Sequence, residues 1–181
     1  PGALSEYFWN EVSSQHRSCA LSMKGCQNST PITSFMDLRE KSRDLKTLPE
    51  IILSGKGGVP YSGKWKWKAE RKHKPGCPVI LMLSTDAVRC CDILRALKGT
   101  FKCQKGKLFA KHFKLEEHVE QLRKKPMPIA VGTPDRCEKL ASLEALKLHR
   151  LKLLVVDMHV NKKGLNIMNM EGVKSAFARF Y

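Results

Sequence analysis

Three stretches of the chain hold residue types at spacings that belong to phosphate or metal chemistry. Gly58 to Trp65 reads GVPYSGKW and satisfies GxxxxGK, the spacing with which a glycine-rich loop and a lysine cradle a nucleotide. That motif needs a Ser or Thr hydroxyl after the lysine to hold Mg²⁺, and Trp65 stands in its place. It also needs a helix whose dipole backs the loop, whereas KWKWKAERKHKPG has no amphipathic period. The match is therefore read as coincidence. The second stretch overlaps it: Lys64, Lys66 and Lys68 alternate with Trp65 and Trp67, and from Ser54 to Pro78 seven Lys or Arg stand against one Glu. Aromatic rings among cations suit single-stranded RNA, because bases stack on the rings while the cations track phosphates. The third is a pair of short motifs, Gly132-Thr133-Pro134-Asp135-Arg136 and Asp157-Met158-His159, each following an apolar run.

The elements that position the third pair form a strand, helix, strand unit over Met127–His159. A right-handed crossover makes its strands parallel, and open α/β sheets place ligands outside the carboxyl ends of their strands. Gly132–Arg136 and Asp157–His159 are thus expected on one edge. Thr133 is the expected N-cap, with Pro134 at the first helical position. His112 and His159 are read as polar residues at strand ends. A zinc site from His73, Cys77, Cys90 and Cys103 matches no metal-ligand spacing.

Charge narrows the partners. The 181 residues carry a formal net charge of +16, from 33 Lys and Arg against 17 Asp and Glu. Such an excess favours a polyanion, since each neutralised phosphate releases condensed counterions. Two basic segments, Lys56–Lys74 and Arg95–Lys114, are expected to supply sequence-independent affinity. No apolar run approaches the roughly 20 residues that span a bilayer. No secretory signal is visible, and because the first residue is Pro a native N-terminus is expected to be missing. The seven cysteines contain no CxxC pair, and Cys91 and Cys137 fall on apolar helix faces, so they are read as reduced, core-filling thiols of an intracellular protein.

Along the chain, residues 1–78 read as an extended, partly irregular basic arm. Within it a short amphipathic helix over Met36–Leu48 is closed by Pro49, and Ile51–Leu53 is a brief apolar run. Residues 79–181 read as one domain. Val79–Leu83 is a buried strand, followed by a helix over Ala87–Lys98 with Ala87, Val88, Cys91, Leu94 and Leu97 on its apolar face. Lys107–Phe113 is a strand. A helix over Leu115–Lys125 buries Leu115, Val119 and Leu122. Then come strand Ile129–Val131, a helix carrying Cys137, Leu140 and Leu143 inward, the buried strand Leu151–Val156, and a last helix over Glu171–Tyr181 with Val173, Phe177 and Phe180. This alternation predicts a three-layer α/β domain with a mainly parallel sheet.

The order of motifs resembles the first RecA-like domain, of the P-loop NTPase class, in a DEAD-box helicase. Ser84-Thr85-Asp86-Ala87 looks like the first helicase motif after the P-loop, Gly132–Arg136 is similar to the Thr-Pro-Gly-Arg motif, and LLVVDMH stands where such proteins carry Asp-Glu-Ala-Asp. A narrower resemblance lies in KLFAKHFKLEEHVEQLRKKPMPIAVGTPDRCEKL and LKLLVVDMH. These are similar to the Cms-type ribosomal small-subunit homologue family, basic helicase-like proteins of the nucleolus associated with the small-subunit processome. The resemblance covers about Val79–Tyr181.

It implies RNA contacts from Thr85, Gly132, Thr133, Pro134 and Arg136; the cation and ring alternation, outside the stretch it covers, adds Lys64, Trp65, Lys66, Trp67 and Lys68 as expected RNA contacts. It makes Asp157 the remnant of a degenerate motif, because Met158 replaces the Glu that polarises the attacking water. Hydrolysis needs water, metal and phosphate cradle together, and a second RecA-like domain is not expected within 181 residues. The expectation is a non-catalytic pseudo-helicase of the nucleus and nucleolus without metal or cofactor. It would bind pre-ribosomal RNA and small-subunit processome proteins, with no membrane and no small-molecule substrate. Two alternatives are an RNA-dependent ATPase using Gly58–Trp65 and a pure protein-interaction scaffold.

Overall fold

Among the described residues four short strands form the centre of the molecule, three of them apolar and the second charged: β1 (Ile80–Leu83), β2 (Lys105–Leu108), β3 (Ile129–Gly132) and β4 (Leu153–Val156). They come from a computed structural model that describes residues 44–53, 73–111 and 113–180. All pairings are parallel, in the order β2-β3-β1-β4, with Ile80 opposite both Ile129 and Leu153, and Lys105 opposite Ile129. β1 and β3 are buried throughout because both faces of the sheet are covered.

Among the described residues five helices accompany the strands: α1 (Leu48–Leu53), α2 (Ala87–Ala96), α3 (Leu115–Lys124), α4 (Pro134–Ser142) and α5 (Glu171–Phe180). The connection from β1 through α2 runs toward β2, whereas those through α3 and α4 run the other way along the sheet. Right-handed crossovers in opposite directions put their helices on opposite faces. Accordingly Ile80 and Met82 pack with Ile52 of α1 and Cys90, Ile93 and Leu97 beside α2. Leu81 and Leu83 pack with Leu122, Leu140, Phe177 and Phe180 on the other side. The result is a three-layer α/β arrangement with an all-parallel described sheet. Among the described residues no helix is long and apolar enough to cross a membrane.

Several boundaries and faces differ from expectation. β2 starts two residues before Lys107 and ends at Leu108, since Phe109 turns into the α2-side core. On α2 the buried stripe is Cys90, Ile93 and Leu97, and Val88 is exposed. Of the expected face, Leu97 is buried and Ala87, Cys91 and Leu94 pack partly buried against the same core, so the stripe is wider than expected and only Val88 falls outside it. On α3 the buried positions are His118 and Leu122, with Leu115 and Val119 only partly covered. On α4 Cys137 and Leu140 point inward, but Leu143 lies past the last helical residue and is exposed. β4 is half-buried because it ends the described sheet. Most of the helix expected over Met36–Leu48 lies outside the described residues; Pro49 itself lies in the first turn of α1, where proline lacks only an N–H that would have no partner, and Ile51–Leu53 continue that helix.

Candidate functional site

The two strands whose connections leave in opposite directions, β1 and β3, are neighbours, so the crevice where this class of sheet takes ligands lies outside Leu83 and Gly132. The residues just past the strand ends stand side by side. The Ser84 amide donates to the Gly132 carbonyl at 3.0 Å, the Thr133 amide to the Leu108 carbonyl at 3.0 Å, and the Asp157 amide to the Leu83 carbonyl at 2.9 Å. The edge expected from spacing therefore exists and brings Thr85, Gly132, Thr133, Pro134 and Asp157 together.

Its polar groups are directed at one another. Arg89, in the first turn of α2, donates from Nε to Asp157 Oδ2 at 2.9 Å and from Nη2 to Oδ1 at 3.3 Å. Ser84 Oγ donates to the same Oδ2 at 2.9 Å, and the His159 amide donates to Oδ1 at 3.2 Å. The Arg89 and Asp157 side chains are only 17% and 14% exposed, so this forked pair is shielded from water. Both oxygens that would face a cation already hold donors, and a guanidinium supplies the positive charge.

The motif residues are likewise engaged. Asp86 caps α2 by accepting from the Val88 and Arg89 amides at 2.8 and 2.9 Å, and the buried Thr85 hydroxyl donates to Asp86 Oδ2 at 3.2 Å. Gly132 is required by packing: a Cβ there would sit 2.5 Å from the Leu108 carbonyl oxygen and 2.7 Å from Cys137 Sγ. Pro134 is buried at the start of α4. Thr133 takes the N-cap position, but its side chain makes no capping hydrogen bond, which corrects the expected cap.

Arg136 turns inward toward α3. Its Nη1 lies 3.3 Å from Nδ1 of buried His118, and its Nε is buried without a partner among the described residues. His118 stacks at a tilt on Phe113, with ring centroids 5.1 Å apart. Burial, and then the Arg136 charge, hold its imidazole below the ordinary value of 6.5, against weaker opposing effects of the Lys107 carbonyl and Glu117. Burial also pushes Cys90 up to about 12, aided by Asp86, Cys91 and Asp157, and raises Cys137 further. These thiols are core groups rather than nucleophiles; Cys90 is buried, and Cys91 packs partly buried against the same core.

Among the described residues no three His, Cys, Asp or Glu side chains gather as metal ligands, so His73, Cys77, Cys90 and Cys103 are not assembled into a site. A hollow of about 530 Å³ on the outer side of α3, lined by Leu115, Val119, Arg123 and Leu143, contains none of the strand-end residues. Lys64, Trp65, Lys66, Trp67, Lys68, the GxxxxGK stretch and His112 lie outside the described residues.

A family model described as "CMS1: U3-containing 90S pre-ribosomal complex subunit" matches residues 40–180. The chain belongs to the CMS1 family. Protein CMS1 of Chaetomium thermophilum is 36% identical over 146 residues, which cover 77% of this chain and 55% of that protein. Protein CMSS1 of Danio rerio is 41% identical over 96 residues, 51% of this chain and 33% of that protein. The human CMSS1 is 36% identical over 108 residues, 57% and 38% respectively. The chain thus spans between a third and about half of the length of these relatives. No solved structure matches it. The stretch that matches the CMS1 family model includes every element of the described fold, the carboxyl edge among them.

Reading the sequence alone missed two residues that organise the edge. Arg89 had a signal, being one turn into a helix capped by Asp86 and hence beside the strand ends. Its partner, 68 positions away, becomes visible only once β4 is placed beside β1. His118 falls between Leu115 and Leu122 on the apolar face of α3, a phase that pointed to burial.

Proposed function

We propose that this chain is a non-catalytic, RecA-like pseudo-helicase module of the 90S pre-ribosome, holding pre-ribosomal RNA and assembly factors of the small-subunit processome in the nucleolus. The observation that carries the non-catalytic part is the Arg89 fork on Asp157. In a helicase-like site the carboxylate after this strand must be open to a metal, and here its lone pairs are directed at an arginine, a serine and an amide. Met158, where a water-polarising Glu would stand, has no acid or base to offer.

The RNA part is supported by the charge of +16 and by the alternation of Lys64, Lys66 and Lys68 with Trp65 and Trp67. The description of the CMS1 family supports the assembly. Purification of the protein with its assembly, followed by mapping of RNA crosslinks, tests the reading. Crosslinks to small-subunit precursor RNA, with affinity for a single-stranded oligonucleotide that falls steeply with salt, are the expected result. An assembly that retains the protein without any RNA crosslink would replace this reading with a pure protein scaffold.

A further inference from the structure

From Arg95 to Lys114 the chain carries seven Lys or Arg and no Asp or Glu. The segment leaves α2, forms β2 and leads into α3, so it makes the flank of the molecule at one end of the described sheet. Its backbone is fixed: Leu97, Phe101, Leu108 and Phe109 are all nearly fully buried. Apart from Lys114, which takes the N-cap position of α3, its charges fall into two groups. Arg95 pairs with Asp92, and Lys105 donates its Nζ to the carbonyls of Phe101 and Cys103. Lys98, Lys102, Lys107 and Lys111 are exposed, and among the described residues none of them is in an ion pair.

Register places these four. Lys107 lies opposite Val131, whose side chain belongs to the α2-side core, so Lys107 projects on that side of the sheet. Lys98 and Lys102 precede β2 at its amino end, and Lys111 follows it at the carboxyl end. The cations therefore run along the strand direction, beside about 13 Å of strand at 3.3 Å per residue.

Lysines on an end strand can simply discourage pairing with another sheet. That task needs charge on the strand itself, yet three of the four free cations lie outside β2, and no acid interrupts the series over 20 residues. Lysine is a compact point charge suited to phosphate, and protein interfaces are depleted in it. The four free cations have no exposed aromatic among them in the described segment, so they would follow a backbone rather than read bases.

We infer that Lys98, Lys102, Lys107 and Lys111 form a track for the phosphate backbone of single-stranded RNA along the β2 flank, separate from the strand-end motif. This rests on the RNA-binding reading above. It names the surface that carries the contact.

The test is binding of the 181-residue chain to a mixed-sequence single-stranded RNA 20-mer across a salt series. A Lys98→Glu, Lys102→Glu, Lys107→Glu, Lys111→Glu variant is compared with one carrying Lys147→Glu, Lys152→Glu, Lys162→Glu and Lys163→Glu on other exposed lysines, which changes net charge equally. A Lys→Gln version of the flank variant removes the contacts without reversing charge, and thermal melts verify folding. The flank variants should lose more than about tenfold in affinity and about 3 in the slope of log K against log salt, at ~0.7 per phosphate contact. The control should keep the slope.

Equal losses in both variants, or wild-type binding by the flank variant, would overturn the track while leaving RNA binding intact. No binding by the unaltered chain would overturn both readings. Loss of polyglutamate binding with RNA binding unchanged would make the flank a surface for acidic protein instead.

Discussion

The carboxyl edge of the sheet and its β2 flank are both rich in polar residues, and they use them in opposite ways. At the edge, Arg89, Asp157, Ser84 and Asp86 satisfy one another, so the place where this architecture receives ligands is closed by its own side chains. On the flank, Lys98, Lys102, Lys107 and Lys111 stand exposed on a backbone held down by buried apolar residues. The contrast teaches that a strand-end motif can survive as structure while exposed charge lies elsewhere. Edge substitutions should alter stability and spare RNA affinity, and flank substitutions should do the reverse.

The largest stability effect is expected at Gly132. Its Cβ would meet the Leu108 carbonyl oxygen at 2.5 Å, and backbone on that side cannot yield without moving β2. Gly132→Ala should cost on the order of 3 kcal/mol or more in urea unfolding, as severe overpacking does. Gly99, at the start of the flank, has nothing within 4 Å of such an atom, and Gly99→Ala should stay within about 0.5 kcal/mol. Equal effects at the two glycines would break the comparison.

Next in size is Arg89→Ala, which leaves Asp157 shielded with only the Ser84 hydroxyl and the His159 amide as donors and no countercharge. A loss of about 3 kcal/mol is expected, the lower end for breaking a buried pair, because some contact with water remains. In a double-mutant cycle with Asp157→Asn most of that loss should be shared, whereas additive losses would mean that the pair is not coupled. Affinity for single-stranded RNA should change less than about threefold in Arg89→Ala, against the loss expected on the flank.

A smaller effect should follow pH. His118 is held below 6.5 in the folded protein, so the unfolded chain binds the extra proton first. Stability attributable to His118 is therefore fully present above about pH 6.5 and lost as pH falls toward the folded value. Melts at pH 7.5 and 5.5 should show this decline, and His118→Gln should reduce it. The smallest signal is chemical: in the native protein Cys90 and Cys137 should resist alkylation, while the part-exposed Cys91 and Cys103 react first.

Much of the fold was legible because its signals are local. Apolar runs at β1, β3 and β4, the Pro134 start of α4 and the spacing of Cys137 and Leu140 each report their element directly. Structure and expectation part where an apolar residue such as Val88 stands at the margin of a helix face, or where a charged strand such as KGKL carries no apolar pattern. The site was half legible. Spacing placed Arg136 and Asp157 on one edge, but their engagement depends on His118 and Arg89, partners brought together only by the order of the strands.

The central claim, that the strand-end site is closed to nucleotide, is tested most directly by equilibrium titration of the chain with a fluorescent ATP analogue in the presence of Mg²⁺. No saturable binding in the micromolar range is the predicted result. Micromolar, Mg²⁺-dependent binding that disappears in Asp157→Ala would contradict it.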